Sequence, residues 1–359
     1  DRPDGTTCTG TEEIFNILME AWTPIYNLSG REAGSWEDFW KEYGDHIPTP
    51  TPVQNLKEIT GEQLHEYFKK RPKHKAGSLD GYTTKEAKLL PISVLDIFAI
   101  VLNAVEKGAE WPESFCHQPQ PILAKEPGPK GRQPLKQRNL TLESVFYAAW
   151  ASIRYNDPNI AAWREAWMKD TMRGGRQNAA THDITYVLAL IWERAAHEDE
   201  RVVTLCLDKA KCFDRINRKI VENLLIKMGM HEGIVRARMR LHNTSTRYFR
   251  IANKYSGGHS PGNGVPQGCS FSIDDINALM AVSLNAIERI NPKAGVSTYI
   301  DDTSISTFGN EAREQAQQVL DEVTKFDKVT GQLLNADKSA VLDSSSSNSC
   351  RSSSSSSSN

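Results

Sequence analysis

The stretch STYIDDTSIS, residues 297–306, sets Asp301 and Asp302 side by side in a run whose flanks read as β-structure. Strands are depleted in Asp, and neighbouring carboxylates repel one another. Two readings fit the stretch: a hairpin tip, where Asp is a common turn residue, or a cation site. The run VVTLCLD at 202–208 has a related shape, a short apolar, β-branched segment closed by Asp208. It fits a buried strand. If the two strands are adjacent and central, Asp208 and the 301–302 turn meet in space although they lie far apart in the chain.

The elements around these runs suggest an α+β chain, with a sheet carrying helices on one face. After Asp208, Ile216, Ile220, Leu224 and Met228 recur at helical spacing. Residues 247–266 predict a hairpin, 271–290 a helix and 296–300 a strand. Residues 310–330 predict an amphipathic helix stopped by Gly331. Upstream, Thr60 and Gln63 have capping-box spacing at the start of a helix. Residues 84–107 read as helix broken by Pro91, and 139–154 and 182–198 as further helices. HIPTPTPV reads as an extended linker, and KEPGPKGRQPLKQR (125–138) as an exposed basic loop.

Composition narrows the function classes. With 359 residues and 39% apolar content the chain exceeds one ordinary domain. A net charge of −2 leaves any basic surface to be local. The six cysteines form no CxxC pair, so neither a zinc site nor a disulfide framework is suggested and a reducing compartment is the default. No apolar run is long enough to span a membrane, and no signal peptide is visible. The tract from Asp343 is nearly all serine and is expected to be disordered. The chain opens on Asp1 rather than Met, as a fragment would.

Phosphoryl and nucleotidyl transfer need divalent metal more than covalent help from protein. Magnesium takes one or two carboxylates together with substrate phosphates, and Asp208 with Asp301 supplies such a set. Each residue also has a plainer reading. Asp208 and Asp214 can be helix caps, Phe213 can pack in the core, and Lys125, Arg138 and Lys338 can be solvated charges. The aromatic cluster at 36–40 reads as core or interface rather than as a base-stacking surface. Arg236, Arg238, Arg240, Arg247 and Arg250 can form a solvated face or track a phosphate backbone.

An ordered set of segments resembles reverse transcriptases, particularly those of non-LTR (LINE-type) retrotransposons. YIDD (299–302) is similar to the family's YxDD turn, and LCLDKAKCFDRI (205–216) to its first carboxylate motif. GVPQGCSFS (264–272) resembles the GVPQG element, and GQLLNADKSAVL (331–342) the lysine-bearing motif that follows. KAGSLDG (75–81), the Lys-rich loop running into RNLTL, and RGGRQNAATHD (173–183) resemble upstream family segments in the same order. The set covers roughly 75–342.

This resemblance implies a right-hand polymerase of fingers and palm. The palm would be an antiparallel, RRM-like sheet backed by helices, and the thumb would be absent. It implies an N-terminal extension with a Pro-rich linker at 1–56, fingers at 57–200, palm at 201–342 and a disordered tail at 343–359. Asp208 and Asp301 would hold two magnesium ions, or manganese in their place, with Asp302 as a third carboxylate. Phe213 would gate the incoming sugar against a 2′-hydroxyl, and Lys125 and Arg138 would hold triphosphate oxygens. Gln267 and Gly268 would line the nucleotide and template surface. Lys338 would donate a proton to the leaving pyrophosphate. RNA template, DNA primer and dNTPs are the implied partners, with thumb and endonuclease segments in the same polyprotein, no membrane, and an intracellular, nuclear setting.

Several positions depart from the family pattern: Asn139 where Pro is usual, Cys212 where Ala is usual, Cys269 where Ser is usual, and Ile273-Asp274 for a Pro-containing pair. They motivate an alternative, a catalytically inactive nucleic-acid-binding remnant of a reverse transcriptase. An RNA-dependent RNA polymerase is a further rival. Such enzymes usually carry Gly before the aspartate pair, and Ile300 and Phe213 speak against it.

Overall fold

The computed structural model describes residues 6–73 and 76–345. In chain order the strands are β1 His117–Ala124, β2 Gln137–Asn139, β3 Val202–Leu207, β4 Thr246–Ile251, β5 Lys254–Tyr255, β6 Gly295–Tyr299, β7 Asp302–Phe308 and β8 Ala340–Asp343. Helices and two small sheets make up the fold, as the element order predicts. They fall into two compact units, each drawn from separated stretches of chain. One comprises the described residues up to Gly30, Thr49–Ala166 and Phe213–Ser272. The other comprises Arg31–Pro48, Trp167–Cys212 and the described residues from Ile273.

The first unit holds a sheet in the order β2-β1-β4-β5. β1 pairs antiparallel with β2 and parallel with β4. A helix not expected from the sequence, Thr11–Tyr26, buries Phe15, Leu18, Trp22 and Tyr26 against Phe249 of β4. Elsewhere in the unit the helices Gly61–Lys70, Ile92–Glu106 and Val145–Tyr155 share an aromatic core, with Phe98 stacked on Phe146 and Phe68 edge-on to it. The predicted capping box is present: Thr60 Oγ1 accepts from Gln63 N, and Gln63 Oε1 accepts from Thr60 N. The basic stretch 125–138 is more than a loop, because its end forms β2 and Trp22 Nε1 donates to Pro134 O. The Pro-rich stretch is anchored, with Val53 N donating to Gly229 O at 2.8 Å.

The second unit holds an antiparallel sheet in the order β6-β7-β3-β8. β3 is central, and five of its six residues are buried, which its unbroken apolar run requires. The amphipathic helix Ala312–Thr330 buries Ala316, Val319, Val323 and Phe326. It ends at Gly331, whose φ of 77° is the left-handed C-terminal stop. Phe39 and Tyr43, on the helix Trp36–Tyr43, meet Phe326 edge-on at ring distances of 6.1 and 5.0 Å, so Phe39 of the aromatic cluster is core, whereas Trp36 is half-buried and Trp40 is exposed. Asp343, read from the sequence as the first residue of the tail, is the last residue of β8, and Arg201 and Arg313 hold its carboxylate at 2.9 and 2.8 Å. The serine-rich stretch 346–359 lies outside the described residues, as do Cys350 and Lys75.

Candidate active site

In the second unit, β3 and β7 run in register from Val202↔Phe308 to Leu207↔Thr303. One step further along both strands, Asp208 stands opposite Asp302. Like charges facing across a sheet are unfavourable. The carboxyl of Asp302 is held above the usual carboxylate range, first by burial and then by the charge of Asp208, while Lys338 opposes the shift.

A single turn of chain after the long helix is folded onto Asp208. Asn335 Nδ2 donates to Asp208 Oδ2 at 2.7 Å, and Asn335 N donates to Asp208 O at 2.8 Å. Asp208 N donates to Ser339 Oγ at 3.1 Å. Lys338 Nζ lies 3.7 Å from Asp208 Oδ1. Residue 209 anchors the other side, where the buried Lys209 ammonium pairs with the buried carboxylate of Asp327. The sequence singled out only the lysine of this NADKS turn. Asn335 and Ser339 flank it at spacings that one turn brings to a common point.

Asp301 occupies the tip of the hairpin. Tyr299 pairs with Asp302, which leaves Ile300 and Asp301 as a two-residue loop. Ile300 has φ of +60°. A positive φ at the first central position belongs to the type II′ turn, where Gly is normal. For a β-branched residue such a backbone is an outlier and costs of order 1–3 kcal/mol. The site is therefore at once a hairpin tip and a strand-end carboxylate pair.

The donor set suits a hard cation, since magnesium takes one or two protein carboxylates and completes its shell with water and substrate phosphates. Among the described residues no group of three or more His, Cys, Asp or Glu side chains is disposed to hold an ion. The facing pair Asp208 and Asp302 is what the fold itself assembles.

The remaining predicted residues belong to the first unit. Lys125 follows β1 and Arg138 lies in β2, where it pairs with Leu123. Lys125 N donates to Lys136 O, so the pairing continues to residue 125. Residues two apart share a strand face, which puts Lys125 and Arg138 on one face of this hairpin, and both are exposed.

Phe213, Gln267 and Gly268 are linked through the GVPQG loop. Val265 N donates to Phe213 O at 2.9 Å, and Gly264 N to Ile216 O at 2.8 Å. Gly264 is required: its φ is +84°, and a Cβ there would sit 2.7 Å from Asp214 O. Phe213 itself is half-buried. Asp214, read from the sequence as a cap, is buried and accepts from Gln267 Nε2 at 3.4 Å. Gly268 has φ of +118° with open space where a Cβ would go. Gln267 and Gly268 line a cavity of about 310 Å³ with Tyr67, Arg71, Leu140 and Glu143. Burial pushes the Glu143 carboxyl up to about 8.

The arginine series divides. Arg238 and Arg247 are buried, so neither a solvated face nor a phosphate track describes them, and Arg238 lies 4.6 Å over the Phe271 ring. Arg236 is exposed and pairs with Glu232. Arg218, not singled out in the sequence, donates to the carbonyls of Pro261, Asn263 and Gly264 at 2.9, 3.0 and 2.7 Å and so fixes the approach to Gln267.

Strand-end carboxylates at a YxDD hairpin, followed by a lysine-bearing turn, are motifs through which the sequence resembles reverse transcriptases. The family model for reverse transcriptase (RNA-dependent DNA polymerase) matches residues 158–350, more than half of the chain, and the chain belongs to that family. One relative is the probable RNA-directed DNA polymerase from transposon BS of Drosophila melanogaster, 23% identical over 292 residues. The match covers 78% of this chain and 32% of that protein, so the chain spans about a third of its relative's length. Among the described residues no helix is long and apolar enough to cross a membrane.

Proposed function

We propose that the chain is the RNA-directed DNA polymerase core of a non-LTR (LINE-type) retrotransposon polyprotein, extending a DNA primer on an RNA template with dNTPs. The observation that carries this reading is the cross-strand pair Asp208 and Asp302, with Lys338 Nζ 3.7 Å from Asp208. In this reading the β6-β7-β3-β8 sheet and its helices act as an RRM-like palm, and helices of the first unit act as fingers. Thumb and endonuclease functions belong to other parts of a longer nuclear polyprotein.

Asp208, Asp301 and Asp302 would hold two magnesium ions, or manganese, whose charge neutralises the triphosphate and favours ionisation of the primer 3′-hydroxyl. Lys125 and Arg138 bind triphosphate oxygens, for which the fixed donor fork of Arg is suited. Phe213 closes the space a 2′-hydroxyl would need. Gln267, held by Asp214, and the open Gly268 face the nucleotide and template. Lys338 gives a proton to the departing pyrophosphate. Its ammonium lies 3.7 Å from Asp208 Oδ1.

Primer extension on an RNA template tests the reading. Magnesium-dependent dNTP incorporation is expected, and Asp301→Asn should lower it by about 100-fold or more, the scale for losing electrostatic stabilisation of a transition state. Binding of RNA–DNA hybrid without extension in either metal would instead identify an inactive remnant.

A further inference from the structure

The RGGR stretch, residues 173–176, is bonded to the hairpin that carries the aspartates. Thr298 N donates to Thr171 O at 2.9 Å, and Arg173 N donates to Thr298 O at 2.8 Å. Met172 thereby forms a parallel bridge with Thr298, two residues before the turn. Gly174 comes next and lies directly against Ile300. A Cβ on Gly174 would be 2.4 Å from Ile300 N and 2.6 Å from its Cγ1.

Gly174 is not among the glycines with positive φ, so its own backbone would accept alanine. The contact, not the conformation, demands glycine. The segment is itself fixed. Asn277 Nδ2, buried on the helix Ser272–Ile290, donates to Gly174 O at 2.9 Å. Arg176 Nη2 donates to Met168 O at 2.6 Å. Gly175, at φ +82°, packs against Ile273. A rigid backbone ledge therefore lies beneath the one residue of the turn whose backbone is strained.

We propose that Gly174 is a positioning residue for the polymerase site: it wedges against Ile300, keeps that residue at positive φ, and so sets where Asp301 and Asp302 point relative to Asp208. The inference rests on the reading of these aspartates as metal ligands. Strained backbone persists only where its surroundings over-determine it, and here the surroundings are residues 171–174.

The test compares wild type with Gly174→Ala, Gly174→Ala/Ile300→Gly and Asn277→Ala, with Gly34→Ala as control. Gly34 is also crowded, against the backbone of Val329 and Thr330, but far from the turn in sequence. The readouts are thermal melting, amide hydrogen exchange over 296–304, Mn²⁺ affinity without nucleic acid by electron paramagnetic resonance, and extension kinetics. Gly174→Ala should speed exchange at the turn and weaken Mn²⁺ binding by about tenfold or more, the usual scale for losing an outer support of a metal site. It should lower kcat by a similar factor with the dNTP KM changed by less than about twofold. Ile300→Gly in the double variant should restore much of the loss, because glycine tolerates other turn geometries.

Gly34→Ala should lower the melting temperature without moving Mn²⁺ affinity. If Gly174→Ala does not fold, Asn277→Ala decides, with a shift in the same direction, of up to about tenfold, expected from a loosened ledge. Unchanged turn exchange and Mn²⁺ affinity in a folded Gly174→Ala, or in Asn277→Ala in its stead, would overturn the proposal. A wild type that binds Mn²⁺ through the turn yet never extends a primer would sink the polymerase reading and leave the ledge standing.

Discussion

Asn335 Nδ2 donates a 2.7 Å hydrogen bond to Asp208 Oδ2, while Lys338, three residues on, approaches the other oxygen of the same carboxylate. One oxygen is thus oriented by a neutral amide, and the other faces a cation. Asn335→Ala removes the orienting bond. A hydrogen bond to a charged group contributes about 1.5–3 kcal/mol, so the magnesium concentration for half-maximal extension should rise about tenfold. A metal titration of extension rate measures it, and an unchanged midpoint would show that Asn335 does not orient the carboxylate.

The raised Asp302 carboxyl makes a pH prediction. Its folded pKa lies above its unfolded value, so the folded state binds more protons and stability falls as pH rises through that interval. Metal-free protein should therefore lose a little stability from the normal Asp range upward to the raised value. Asp302→Asn should abolish this slope and raise the metal-free melting temperature at neutral pH, by about 1 °C because the group is only partly covered at the strand end and water still screens it. The same substitution should strongly reduce extension. Melting curves across pH 4–7, with and without the substitution, decide it.

Lys209 and Asp327 form an ion pair whose side chains are both almost wholly buried. Removing one partner leaves a buried charge, at a cost of about 3–5 kcal/mol. Lys209→Met should be destabilised on that scale in urea unfolding. Lys209→Met/Asp327→Leu should recover most of the loss, since apolar replacement of a buried pair is often neutral. A single variant as stable as wild type would show that the pair contributes no structural support next to Asp208.

Phe213→Val should admit ribonucleotides. Phe213 is held through its carbonyl by Val265 N, so a side-chain change leaves the loop in place. Discrimination of dNTP over NTP should fall by about 10–100-fold in kcat/KM, the scale for a lost steric contact. Equal discrimination in both proteins would remove the gate from Phe213.

The chain declared its chemistry more readily than its support. β3 and β6 were legible because β-branched runs stop at carboxylates, and the helix Ala312–Thr330 because its apolar stripe stops at Gly331. β1 was not legible, because Pro119 and Pro121 argue against an interior strand. The helix Thr11–Tyr26 was hidden by Pro24 in its last turns. The burial of Arg238 and Arg247, and the ledge at Gly174, depend on partners distant in sequence. No local pattern encodes them.

Phe39 meets Phe326 in the core of the second unit, and β3 lies between strands that come later in the chain. A nascent chain emerging from the ribosome thus carries Phe39 and the β3 run long before their partners exist. Non-local closure of this kind slows folding and leaves apolar surface open to misassociation. Truncation before β8 should consequently harm solubility well before it touches any residue of the 299–302 hairpin, and expression of shortened versions will depend on chaperones more than on chemistry.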